Sequence, residues 1–211
     1  MPRTLVAVLL VAVVAACGGS PGTSAPTAAG VSVQTGDLPA GMAKCDLTGD
    51  IDSFLNKEKT ADPSTYQSTK AEWDDAKSKG ATAAYTAFYT DSSAHCGAIK
   101  AQGGSIGSAA YKLVVNFVIQ FKDEASAAKG YGSEQVFNVS PSELRKSGQP
   151  VIEGTNTGLT KNSIVLNSPI ANQAYFIAVW QNKTFLVILA ILNVDAAASK
   201  KVATSENSRI K

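Results

Sequence analysis

Apolar and polar residues alternate most regularly over Lys112 to Phe121. Leu113, Val115, Phe117, Ile119 and Phe121 share one side of an extended chain, and Val114, Asn116, Val118 and Gln120 share the other. This pattern predicts a strand with one face on a core and the opposite face half wet. Near the C-terminus, Gln173 to Trp180 and Thr184 to Asn193 are rich in aromatic and β-branched residues, and Gln181-Asn182-Lys183 separates them. They predict a hairpin. Its second strand is apolar on both sides, so it is expected to be central in its sheet and covered twice, or covered once and bound to a partner. Shorter strands are predicted at Ser163 to Leu166, before an Asn167-Ser168-Pro169 turn, and at Val151-Ile152 inside the otherwise loop-like stretch Phe137 to Thr160.

Between Cys45 and Cys96 the period changes to that of a helix. Asp50 stands as a capping carboxylate before Ile51, Phe54 and Leu55. Asp62 and Pro63 open a second helix carrying Tyr66, Trp73 and Ala76 as far as the breaker Gly80. Ala81, Ala84, Tyr85 and Phe88 continue at helical spacing and predict a third. Asp123 caps a helix through Ala125 and Ala128, and Asp195 caps a last one whose inner side carries Ala198, Val202 and Ser205. Strand followed by an Asp-capped, Ala-rich helix thus occurs twice. Either the two halves are pseudo-symmetric, or both helices simply start with the same chemistry.

The N-terminus reads differently. Met1-Pro2-Arg3-Thr4 precedes the apolar run Leu5 to Ala16, then Cys17 and a stretch rich in Gly, Ser, Pro, Thr and Ala up to Gln34. A dozen apolar residues behind a positive start have the form of a secretory signal, too short for the ~20 residues of a spanning helix. Val14-Ala15-Ala16-Cys17 resembles the lipobox of bacterial prolipoproteins. That resemblance implies removal of residues 1–16, lipidation of Cys17 and retention on the extracytoplasmic face of the cell membrane. Residues 17–38 are then the lipidated cysteine and a flexible tether of ~20 to 25 Å. Residues 39–211 form a single extracytoplasmic domain. In general style the chain is similar to cell-surface lipoproteins of Gram-positive bacteria with high genomic GC.

Composition narrows the function. Without Arg3 the 19 basic residues become 18 against 17 acidic, and a nearly neutral chain has no field to hold nucleic acid. With Cys17 assigned to lipid, Cys45 and Cys96 remain as an even pair in an exported chain, which points to a disulfide. His95 is the single histidine, so no His-based metal site or His-dependent nucleophile is expected. Asp46, Asp50 and Asp52 lack the spacing of a calcium loop. Gln102 to Ser108 is glycine-rich but leads into a strand rather than a helix, so it is read as a connector and not a phosphate cradle. Glu72, Asp74, Asp75, Glu134 and Glu143 are read as solvated helix charges rather than an acid–base pair. Trp73 and Trp180 are assigned to the core.

The expected architecture is α+β, an N-terminal helical layer plus an antiparallel sheet of about four strands with two packed helices. The expected function is non-enzymatic and without a cofactor. The module would bind or sense a protein or envelope component through an exposed sheet face. The alternative is a carrier holding a small apolar ligand in a cavity of at least ~300 Å³ lined by Phe117, Ile119, Phe176 and Leu189.

Overall fold

The computed structural model describes residues 25–101, 107–133, 139–170 and 172–211. The signal and lipobox residues, Cys17 among them, and Glu134 lie outside these. The elements in chain order are α1 (Ala28–Val31), β1 (Ala43–Lys44), β2 (Gly49–Asp50), α2 (Ile51–Ala61), α3 (Pro63–Ser78), β3 (Ala81–Thr90), α4 (Ser93–Ala101) and β4 (Leu113–Phe121). They continue as α5 (Glu124–Ser133), α6 (Pro141–Lys146), β5 (Val151–Glu153), β6 (Asn162–Ile170), β7 (Gln173–Asn182), β8 (Phe185–Leu192) and α7 (Ala196–Ser208). The class is α+β, and among the described residues the sheet has eight antiparallel strands rather than about four. Their order is β1-β3-β4-β8-β7-β6-β5, with β2 also on β3. No helix among the described residues is long and apolar enough to cross a membrane.

Aspartates start the helices as their sequence positions predict. Asp50, Asp62, Asp123 and Asp195 each accept the backbone N–H three residues on, at 2.7 to 3.2 Å. The helix expected after Gly80 is instead the ten-residue strand β3. Its alanines fit either state, but Thr82, Tyr85, Thr86, Phe88, Tyr89 and Thr90 favour a pleated surface, and the whole length pairs with β4. Pairing also overrides the Asn167-Ser168-Pro169 turn signal, because β6 runs through it to Ile170. Proline is tolerated there because β5 pairs only with Ile164 to Leu166 and leaves that end of β6 without a strand on its outer side. Within the stretch read as loop, α6 forms from Ser140-Pro141-Ser142-Glu143, where the Ser140 hydroxyl caps Glu143 N–H at 3.2 Å.

Both sheet faces are dry over the central strands β4 and β8. On one, Phe88, Phe117 and Phe121 meet Phe54 and Trp73 of the α2–α3 layer, with Ala127 of α5 and Leu144 of α6 completing the cluster. Phe54 stacks on Phe88 at 5.6 Å and meets Phe117 edge-on at 5.9 Å, so the helical layer is keyed into the sheet by aromatic contacts. On the other face, Val114, Val118, Trp180, Val187 and Leu189 lie under Val31, Val33, Val202 and Ala203. The second side of β4, expected half wet, is therefore buried. So is β8, whose doubly apolar sequence marks a central strand rather than an exposed face. The two Asp-capped helices pack on opposite faces, α5 with Ala127 and α7 with Val202 and Ala203. Because β4 and β8 run antiparallel, a two-fold axis exchanging them would keep their helices on one face, so the duplication reading falls and shared start chemistry remains.

The stretch expected as tether is folded from Ala28 onward. Val31 and Val33 are 0% and 1% exposed. Ser32 Oγ donates to Asn116 Oδ1 at 2.8 Å, and Val33 N–H reaches the same oxygen at 3.1 Å. Arg209 closes the arrangement, donating to the carbonyls of Val31 and Ser32 at 3.0 Å and pairing with Asp37 at 2.9 Å. Spacer composition was a poor guide here because two valines and a few backbone groups find partners in the sheet.

Candidate functional site

The sheet extends past α7. Ile152, Val165, Ala178 and Leu189 form one cross-strand row on the α7 face, and Asn167, Phe176 and Ile191 form the next. α7 packs on β7 and leaves the β5–β6 end outside it. Across that end the chain makes a tight turn at Gly154–Thr157, then Gly158 at φ +80° and Leu159. Asn207 of α7 holds the turn from the far side, its amide donating to the Leu159 carbonyl at 3.4 Å.

Between α7 and this turn lies an open cleft of about 130 Å³. Val165, Phe176 and Ala203 give it a buried apolar floor, and Ile152, Asn156, Asn167 and Lys200 stand around its rim. Ile152, 49% exposed, is the sole large hydrophobic side chain among the described residues that faces solvent to this degree. Thr157 belongs to the scaffold. Its hydroxyl donates to the Gly154 carbonyl at 2.8 Å and accepts from Leu159 N–H at 3.0 Å. The arrangement, an apolar base with polar heads above it, suits binding by insertion of one compact group.

The cavity expected for an apolar cargo does not form. Phe117 and Ile119 face the α2–α3 layer, whereas Phe176 and Leu189 face α7, so the sheet itself separates them. The space beside Phe117 and Ile119 is about 20 Å³, room for a water. Neither opening approaches the ~300 Å³ of an ordinary ligand pocket.

Cys45 and Cys96 are bonded, with Cα atoms 5.3 Å apart. The bond ties the segment after β1 to α4. His95 lies on α4. Its Nδ1 is 2.6 Å from Asp91 Oδ1 and its ring stacks on Tyr111 at 4.0 Å. Asp91 also accepts Lys112 N–H at 3.2 Å, so this cluster fastens the start of β4 to α4. Of the acidic residues, Asp50 caps a helix, Asp46 pairs with Lys100 at 3.1 Å, and Asp74 sits between Lys70 and Lys77. Glu143 pairs with Lys146 at 3.0 Å. Among the described residues no group of three or more His, Cys, Asp or Glu is arranged to hold a metal. Trp73 and Trp180 are both buried in the core.

Two buried carboxyls escaped the sequence reading. On the last helix the inward residue is Glu206, not Ser205. It is 0% exposed and accepts from Asn116 Nδ2 at 2.9 Å. Burial holds its carboxyl well above the usual range, against the pull of Asn116 and Arg209. Glu58 on α2 is 1% exposed, and among the described residues neither of its oxygens has a hydrogen-bond partner. Burial, with Asp62 second, pushes it up to about 7.

A carboxyl raised from about 4.5 to about 7 in the folded state keeps its proton while the unfolded chain loses it. Its contribution to stability is complete below pH 4.5 and is lost as pH rises to 7. At ~1.4 kcal/mol per pH unit, Glu58 takes away ~3 kcal/mol across that window. Glu58→Gln is therefore expected to gain on the wild type by this amount between pH 4 and pH 8 in urea unfolding. Parallel pH profiles for the two proteins would refute the assignment.

No family model matches the chain, and no curated protein matches it. Among solved structures, the extracellular domain of PknH from Mycobacterium tuberculosis is similar over 62% of this chain and 66% of that one, with a TM-score of 0.39 and 10% identity. The aligned part is thus less than two thirds of the neighbour's length, and a likeness of this size carries no argument about what the present chain does.

Proposed function

We propose that this chain is an extracytoplasmic lipoprotein, anchored to the cell membrane through Cys17, whose domain serves as a non-catalytic binding or sensing module for a protein or envelope component. The observation that carries the reading is the cleft beside α7, where an apolar floor, three polar rim side chains and exposed Ile152 converge on an otherwise well-covered domain. The Cys45–Cys96 bond supports the compartment, since such bonds persist where the surroundings are oxidising. Binding through a broad bare sheet face is withdrawn in favour of this cleft, because helices and the N-terminal segment cover the sheet except at its β5–β6 end.

With the domain folded from Ala28, the spacer after Cys17 shortens to residues 18–27. As a coil such a spacer reaches ~17 Å, which keeps the module beside the bilayer. Intact-mass measurement of the membrane-extracted protein tests the anchor. A chain beginning at Cys17 with a diacylglyceryl addition is expected, and a chain retaining Met1 without acyl groups defeats it. The module is tested by sedimentation with isolated envelopes, comparing the wild type with Ile152→Asp/Lys200→Glu. Both positions are exposed, so the double variant is expected to fold normally and to bind at least about tenfold more weakly. Equal binding by the two proteins removes the cleft from the proposal.

A further inference from the structure

We infer that the cleft beside α7 takes a small organic carboxylate, with an apolar body no larger than about a six-membered ring seated on Val165 and Phe176 and its acid group held by Lys200. The inference rests on the reading of this cleft as the binding site and names what enters it.

Size comes first. The volume is about 130 Å³, and an apolar cavity of ~150 Å³ in another protein accommodates benzene, so a compact ring or branched chain fits where a lipid tail does not. The floor of Val165, Phe176 and Ala203 offers no hydrogen bond, which requires an apolar body at depth.

Charge comes second. Lys200 is the one charged residue lining the cleft. It forms no ion pair among the described residues, as is true of several other surface lysines, but it alone of them stands on the cleft. Its Cε lies 3.8 Å from where a Cβ on Gly158 would stand, which brings the end of the side chain beside the turn. The nearest acid in the strands, Glu153, pairs with Ile164 in the register and so projects to the opposite face, where Arg145 engages both its oxygens at 3.0 and 2.8 Å. A cationic rim with no carboxylate facing it is complementary to an anion.

The rim amides decide among anions. Asn156 and Asn167 are exposed on the cleft and supply neutral donors beside a single cation, a set matched to one carboxylate. Phosphate is more often met by arginine forks, and no arginine lines the cleft.

The probe is phenylacetate, titrated into the oxidised domain and followed by amide chemical shifts, beside its neutral counterpart 2-phenylethanol and inorganic phosphate. Saturable shifts at Asn156, Asn167 and Ala203 are expected with phenylacetate, about fivefold tighter than with the alcohol, the size of one exposed charge contact. Lys200→Met, which keeps the apolar stem, is expected to bring the acid down to the alcohol's affinity. Equal affinity for acid and alcohol in the wild type overturns the carboxylate assignment and leaves the cleft as a binding site. Phosphate binding as well as phenylacetate overturns the apolar body. Absence of shifts with all three probes overturns this inference, while the envelope sedimentation of the wild type and the double variant decides separately whether the cleft is the binding site.

Discussion

Asn116→Ala is expected to lower the stability of this domain by about 3–5 kcal/mol, more than any other polar truncation in it. The side chain sits in the middle of β4 at 0% exposure and uses its full bonding capacity. Its oxygen accepts from Ser32 Oγ and Val33 N–H, and its nitrogen donates to the Ile188 carbonyl at 3.3 Å and to Glu206 at 2.9 Å. Truncation strands several buried partners at once, and each unsatisfied group costs ~1–3 kcal/mol. The sum is tempered by water entering the space. Urea unfolding supplies the total, and hydrogen exchange locates it, since the Val33 amide is expected to lose protection before the amides of β4 and β8. A loss under ~1 kcal/mol with Val33 still protected would show that the N-terminal segment is held by its valines alone.

Removing the disulfide is the second large effect. Cys45→Ala/Cys96→Ala opens a loop with a sequence separation of 51, for which the chain-entropy account sets an upper figure of ~4 kcal/mol. A loss of about 2–4 kcal/mol is expected. The structure also says where it falls. α4 has Ile99 as its one buried residue, and beyond the disulfide it is held by the Lys100–Asp46 pair and by the His95 cluster. The β3 and β4 amides, which open only with the whole domain, are expected to lose protection by that same amount, and the α4 amides by more, because they also open locally. An equal loss in α4 and in the sheet would mean that the bond acts through the unfolded chain alone and not by holding α4.

The candidate site was hardly legible beforehand. The sequence predicts a brief strand at Val151-Ile152, a loop around Asn156 and a turn at Asn167, and it marks neither these residues nor Lys200 as a site. They are separated by up to 48 positions in the chain and meet only because β5, β6 and α7 converge. A sequence signal did exist in Ile152, an apolar residue in a stretch otherwise broken by Pro150, Gly154 and Gly158. It could not be told from a core position without knowing which face of β5 is open. Glu206 failed for the converse reason. Its spacing four residues after Val202 puts it on the inner face, but a carboxylate is by type a surface residue, and it is Asn116, on a strand 90 positions away, that gives it a buried partner.

What the chain determined by itself is whatever depends on neighbours within a few residues. Four aspartates start four helices because an Asx side chain reaches the N–H three positions on whatever the rest of the protein does. The alternating runs of β4, β7 and β8 are extended because their side chains suit a pleated, packed surface. Tertiary structure decided the rest. β3 is a strand because β4 offers it a ladder along its length, Val31 and Val33 are core because the α7 face has room for them, and the central strands are covered twice because helices from both ends of the chain return to them. These outcomes turn on which surfaces find a partner, and dryness is a property of two surfaces in contact that neither sequence segment carries alone.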